Sequence, residues 1–268
     1  MDLRTHETDR TALRGLAVFY LLAFAVSWAG RIPLALDAAG RISLPPVVII
    51  PAFLLGGAAP TIAAVAALVV TRERQNLLAG LRRWRLGARW WLATLGIPVL
   101  TTVTAGILDA PRSGPAVATL AMLPAVFATM VVSYVWEEIG WRGYALPRME
   151  RFMPALAAAA VMGLLAFLWH LPLLLDPDVP GGSTAEAAVF SIAFAVIVTW
   201  LFHNTGGSLV AATTFHAAFN TMAAYQLDTF GAAGFARQQL AVVAVTTIVA
   251  IGVALRYGPG LVRDATGR

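Results

Sequence analysis

Long apolar runs separated by short polar links make up almost the whole chain. A hydrocarbon core of roughly 30 Å takes about 20 apolar residues as helix. By that measure eight segments can cross a bilayer: 12–36, 45–70, 90–108, 115–146, 153–175, 187–203, 207–227 and 237–256. The fourth is too long for a single crossing and predicts a span that continues into a protruding helix. The expected fold is all-α, a polytopic bundle of about eight transmembrane helices forming one domain over 1–268. No soluble domain, low-complexity tail or internal repeat interrupts the pattern.

Composition agrees with the pattern and narrows the chemistry. Of 268 residues, 59% are hydrophobic and 12% charged, and mean hydropathy is +0.76. Soluble domains carry about 25% charged residues, so a water-soluble enzyme or nucleic-acid binder is excluded and no nucleic-acid partner is expected. Cysteine is absent, which removes disulfides, thiolate zinc sites and thiol nucleophiles. All 19 basic residues are arginine, which removes lysine chemistry.

The arginines also set an expected orientation. Arg4, Arg10 and Arg14 precede the first span; Arg72, Arg74, Arg82, Arg83, Arg85 and Arg89 follow the second; Arg142, Arg148 and Arg151 follow the fourth; Arg256, Arg263 and Arg268 follow the last. Arg31, Arg41, Arg112 and Arg237 fall on the other side with Asp37, Asp109, Asp176, Asp178, Glu186 and Asp228. The positive-inside rule then predicts a multi-pass cell-membrane protein with both termini cytoplasmic. The first span lacks a small-residue cleavage site and reads as a retained anchor.

Charge inside a span is costly, about 2.5–3.5 kcal/mol at mid-bilayer on insertion scales, and is a functional candidate for that reason. Glu137, Glu138 and Arg142 stand in EEIGWRGY of the fourth span, His170 in LLAFLWHLP of the fifth, and His216 and Asn220 in TTFHAAFN of the seventh. Glu138 and Arg142 are four apart with the acid first, the favourable order for an ion pair on one helix face. Glu137 points about 100° away, so one carboxylate can be neutralised while its neighbour stays available. His216 and Asn220 share a face by the same spacing.

At 1.5 Å per residue these side chains fall in one layer about 10 Å thick. They are expected to line a single cavity open towards the cytoplasmic half. Each has a plainer reading too: the Glu138–Arg142 pair as scaffold, His170 as a group satisfied by a carbonyl freed at Pro172, and His216 with Asn220 as interhelical glue. His203, at a span end, reads as interfacial.

No facing Ser and His, HExxH or intramembrane aspartate pair is present, so for peptide hydrolysis a glutamate with two histidines and an asparagine remains. The motifs EEIGWR, WHLP and HAAFN resemble those of the CAAX protease and bacteriocin-processing (CPBP, or Abi) family of intramembrane endopeptidases, over residues 115–227. The family's FxxxH element departs here, with Ala166 at the aromatic position and Phe167 beside it.

The resemblance implies a CAAX prenyl protease-like endopeptidase in which Glu137 activates water, Glu138 and Arg142 support it, His170 positions the water, and His216 and Asn220 hold the oxyanion. It implies a lipid bilayer and a peptide or protein substrate, prenylated in the case the family is named for. On this reading no cofactor is needed; a zinc site on Glu137, His170 and His216 is the metalloprotease alternative. Outside enzymes, a transporter or bacteriocin-immunity-type protein that binds through the same polar layer is the competing reading.

Overall fold

The computed structural model describes residues 3–108, 117–174 and 183–262. Of the charges used for orientation, Asp109, Arg112, Asp176, Asp178, Arg263 and Arg268 lie outside the described residues. The described residues form helices and no strand. The main helices are α1 (Leu3–Ala38), α2 (Pro46–Thr71), α3 (Ala88–Leu108), α4 (Val117–Glu138), the short α5 (Leu146–Met149), α6 (Ala155–Leu174), α7 (Thr184–Asn204) and α8 (Leu209–Tyr257). Seven of these, α4 together with its continuation through Met149, are long and apolar enough to span a membrane.

Packing closes six of them into a ring. α1 packs on α2, α2 on α4, α4 on α8, α8 on α7, α7 on α6, and α6 returns to α1, while α3 lies outside against α8. Small residues let the ring close tightly: Ala63, Ala64 and Ala67 of α2 are fully buried against Phe19 and Ala23 of α1. Without a hydrophobic force between helices in lipid, such close approach and its dispersion contacts are what hold the pair. Leu21, Val47, Ile107, Ile248 and Leu255 are exposed instead, as an apolar lipid-facing belt requires.

α8 is not one straight helix. Its 49 residues would extend about 73 Å at 1.5 Å per residue, far more than a bilayer. Gly231 breaks it, with φ 68° and ψ 176°, and the Gln226 side chain donates to the Gln238 side chain at 2.7 Å. Twelve residues along a continuous helix would hold those groups about 18 Å apart, so the chain reverses at Gly231. The arms 209–230 and 232–257 are the seventh and eighth expected spans, which makes eight crossings from seven helices. The second arm returns to where the first began, since Asn204 donates to the Leu261 carbonyl at 2.7 Å.

The same end of the bundle gathers other links. Arg151 pairs with Asp9 at 2.7 Å and Arg148 with Glu73 at 2.9 Å. The His203 ring lies 2.6 Å from Glu150, so this span-end residue is tied to a carboxylate. This arginine-rich end is opposite the Gly231 reversal.

The backbone at Gly231 lies in a region open essentially only to glycine, and strain there costs about 1–3 kcal/mol for other residues. Gly252, in the second arm, has helical geometry and nothing near the place of a Cβ. Gly231→Ala is expected to lower the thermal midpoint in detergent, whereas Gly252→Ala leaves it unchanged or raises it. Equal effects at the two positions would contradict the reversal.

Candidate functional site

Glu137 and Glu138 end α4, and the helix widens at once into a π-helical turn, Ile139–Ala145. Turns of this kind are frequent at functional sites. Both glutamates are buried here, at 3% and 0% exposure, and so is Arg142. Glu138 accepts a hydrogen bond from Arg142 at 3.1 Å, the pair expected from the i,i+4 spacing.

The same Glu138 oxygen lies 2.8 Å from His216 Nδ1 on α8. A carboxylate beside an arginine accepts, so Nδ1 carries the proton and Nε2 is the ring nitrogen left for a ligand. Tyr134 stacks on the His216 ring at 4.0 Å between centroids and 15° between planes, and Phe194 meets it edge-on. The imidazole is thus held on three sides. His216 is bound into the Glu138–Arg142 pair, a partner that helix spacing alone does not reveal.

His170, near the end of α6, has Nδ1 2.8 Å from the Ala166 carbonyl. A carbonyl only accepts, so Nδ1 donates and Nε2 keeps its lone pair. The bond is to the preceding turn of the same helix; the carbonyl that Pro172 frees, four residues before it, belongs to Leu168. Asn220 donates one amide hydrogen to the His216 carbonyl at 3.1 Å and retains a second.

A cavity of about 360 Å³ inside the ring is lined by Glu137, Arg142, His170, His216 and Asn220. Glu138 is not among its walls; it lies behind them. Tyr134, Phe167, Phe190, Phe194 and Phe219 supply much of the remaining surface. The lining runs from Trp141 and Arg142 to Glu186, Phe235 and Gln239, the end opposite the arginine-rich loops. The second half of α6, the first half of α7 and the Gly231 reversal build its far end.

The zinc alternative asks Glu137, His170 and His216 to converge. Among the described residues no three His, Cys, Asp or Glu side chains come together closely enough to hold a metal ion. Both histidines have Nδ1 engaged by protein oxygens and keep Nε2 free, an orientation that metal-ligating histidines also adopt.

Two residues of the site escaped the sequence reading. Arg31 was counted with the outer-side charges at the end of the first span, yet it is buried at 7% exposure, with Nη2 4.0 Å from Glu137. The signal was present, since α1 continues apolar for several residues beyond it. Tyr134 sits one turn before Glu138, a spacing that places it on the same face.

Breaking a buried ion pair by removing one partner costs about 3–5 kcal/mol, because the other charge is left uncompensated. Arg142→Leu is therefore expected to unfold the chain at markedly lower temperature in detergent. Glu138→Gln, which keeps an acceptor for His216, should cost less. Thermal unfolding followed by circular dichroism checks the order, and the reverse ranking would refute the assignment of Arg142 as Glu138's counter-ion.

Residues 119–222 match the family described as "Type II CAAX prenyl endopeptidase Rce1-like". A curated protein of Methanococcus maripaludis, CAAX prenyl protease 2, is 26% identical over 106 residues, which cover 37% of this chain and 39% of that protein. The alignment thus spans about two fifths of the relative's length. The matched stretch runs from α4 into the first arm of α8 and contains Glu137, Glu138, Arg142, His170, His216 and Asn220. Through this segment the chain is similar to the Rce1-like type II CAAX prenyl endopeptidases.

Proposed function

We propose that the protein is an intramembrane endopeptidase of the CAAX prenyl protease type that hydrolyses a peptide bond with water activated by Glu137. The observation that carries this reading is the shared cavity: Glu137, His170, His216 and Asn220 reach it from three separate helices. An acid, two imidazoles and an amide at one apolar-walled place can supply both a base and oxyanion donors.

The chemistry follows from which atoms are already occupied. A water between Glu137 and His170 can donate one hydrogen to the carboxylate and the other to His170 Nε2, leaving a lone pair for the scissile carbonyl carbon. Glu137 takes the water's proton as the C–O bond forms, and passes it to the amine nitrogen as the C–N bond breaks. The developing oxyanion needs donors. Asn220 has its second amide hydrogen, and an imidazolium form of His216 has Nε2–H, with Nδ1–H already matched to Glu138. Arg142 balances Glu138, so that carboxylate does not compete for the water.

The apolar cavity wall suits a substrate with a hydrocarbon chain, and a prenylated peptide ending in the CAAX pattern is the class we assign. The arginine distribution places both termini in the cytoplasm on this reading. A carboxylate base works only when ionised, so turnover should fall towards acid pH.

The test is cleavage of a fluorogenic farnesylated CAAX peptide by the full chain in reconstituted vesicles. Glu137→Gln preserves shape and removes the base, and turnover is expected to fall by roughly 10²–10⁴-fold with peptide binding retained. A strong metal chelator is expected to leave the wild-type rate unchanged. Loss of activity with chelator and its return with added zinc would replace the carboxylate mechanism by a metal one. Undiminished cleavage by Glu137→Gln would overturn both.

A further inference from the structure

Glu137 and Glu138 are adjacent, both buried and both inside a span. Two ionised carboxylates in such a place require two counter-charges, because an unpaired ion in a membrane interior is far costlier than a paired one. Arg142 serves Glu138. The second cation comes from outside the family-matched segment: Arg31, on α1, reaches within 4.0 Å of Glu137.

Four elements hold Arg31 there. Its guanidinium stacks over the Trp169 ring at 3.8 Å. Trp169 is itself fully buried and tied to α1 in both directions, donating to the Ala23 carbonyl at 3.1 Å while its own carbonyl accepts from Trp28 at 3.2 Å. On α2, Gly56 leaves the space the side chain occupies: a Cβ there would stand 3.1 Å from Arg31 Nε and 3.2 Å from its Cγ. α4 supplies Glu137. Arg31 Nη1 is buried and makes no hydrogen bond, so the guanidinium is not consumed by structural bonds. It sits behind the carboxylate, outside the cavity wall.

We propose that Arg31 is a positioning residue of the site, which supplies the counter-charge for Glu137 and aims its carboxylate at the bound water. The proposal rests on Glu137 being the base. It extends the functional set beyond residues 119–222, to a helix outside the matched core. The Trp169–His170 dipeptide then has two linked tasks, Trp169 clamping Arg31 and His170 facing the water.

The test uses the full chain in vesicles with the farnesylated CAAX peptide, and reads kcat, KM and thermal midpoint for Arg31→Met and Arg31→Lys. A misplaced catalytic group costs roughly 10²-fold. Arg31→Met is expected to lose about that much in kcat with KM little changed, and Arg31→Lys to recover most of it by restoring the charge. Should Arg31→Met fold poorly, Gly56→Ala keeps the charge but presses on the side chain, and should lower kcat alone to a smaller extent.

A second readout needs no turnover. Arg31→Met should lower the thermal midpoint in the native background and lower it much less beside Glu137→Gln, where no charge is left unpaired. Wild-type kcat in Arg31→Met, no recovery with lysine, or equal midpoint losses in the two backgrounds would overturn the proposal while leaving Glu137 as base. Full activity of Glu137→Gln would instead overturn the parent reading.

Discussion

Buried charge that must be neutralised inside lipid is the constraint on which the rest of this structure turns. Glu138 answers it with two partners on one oxygen, Arg142 from its own π-helical turn and His216 from α8. That shared oxygen joins α4 to α8, one of the contacts that closes the helix ring. Because water cannot solvate these groups at depth, the pairing has few alternatives, and the positions of α4 and α8 follow from it.

The ring converts that constraint into a cavity. α4 and α6 belong to opposite arcs, the first packed on α2 and α8, the second on α1 and α7. Side chains at the inner faces of both arcs therefore meet across a space instead of filling it. Aromatic residues narrow the space and give it an apolar wall, so the few polar atoms that face inward act in a low-dielectric setting where each is worth more than in solution. The roughly 100° step between adjacent residues of α4 leaves Glu137 on the wall and Glu138 behind it.

Much of this was legible before any coordinates. Hydrophobic run lengths count crossings because the bilayer thickness is a fixed ruler, and the expected division between the seventh and eighth crossings, 228–236, contains Gly231, where the chain reverses. The Glu138–Arg142 pair follows from helical spacing, which is local. The motifs at Glu137, His170, His216 and Asn220 draw attention because polar groups in spans are rare. Arg31 was misplaced for a related reason: near a span end, a long cationic side chain ordinarily snorkels to the interface, and only a clamp from Trp169 turns it inward.

Run length, periodicity and the scarcity of charge thus determined that the chain is a helical membrane bundle, and which side chains need an explanation. Those properties are local, carried by each helix and its surroundings in lipid. Which helix faces which is not local. That His216 binds Glu138, that Arg31 faces Glu137, that His170 is satisfied within its own helix, and that the cavity extends away from the arginine-rich loops were decided by tertiary packing. The ring brings together residues more than a hundred positions apart, and no spacing along the chain encodes that distance.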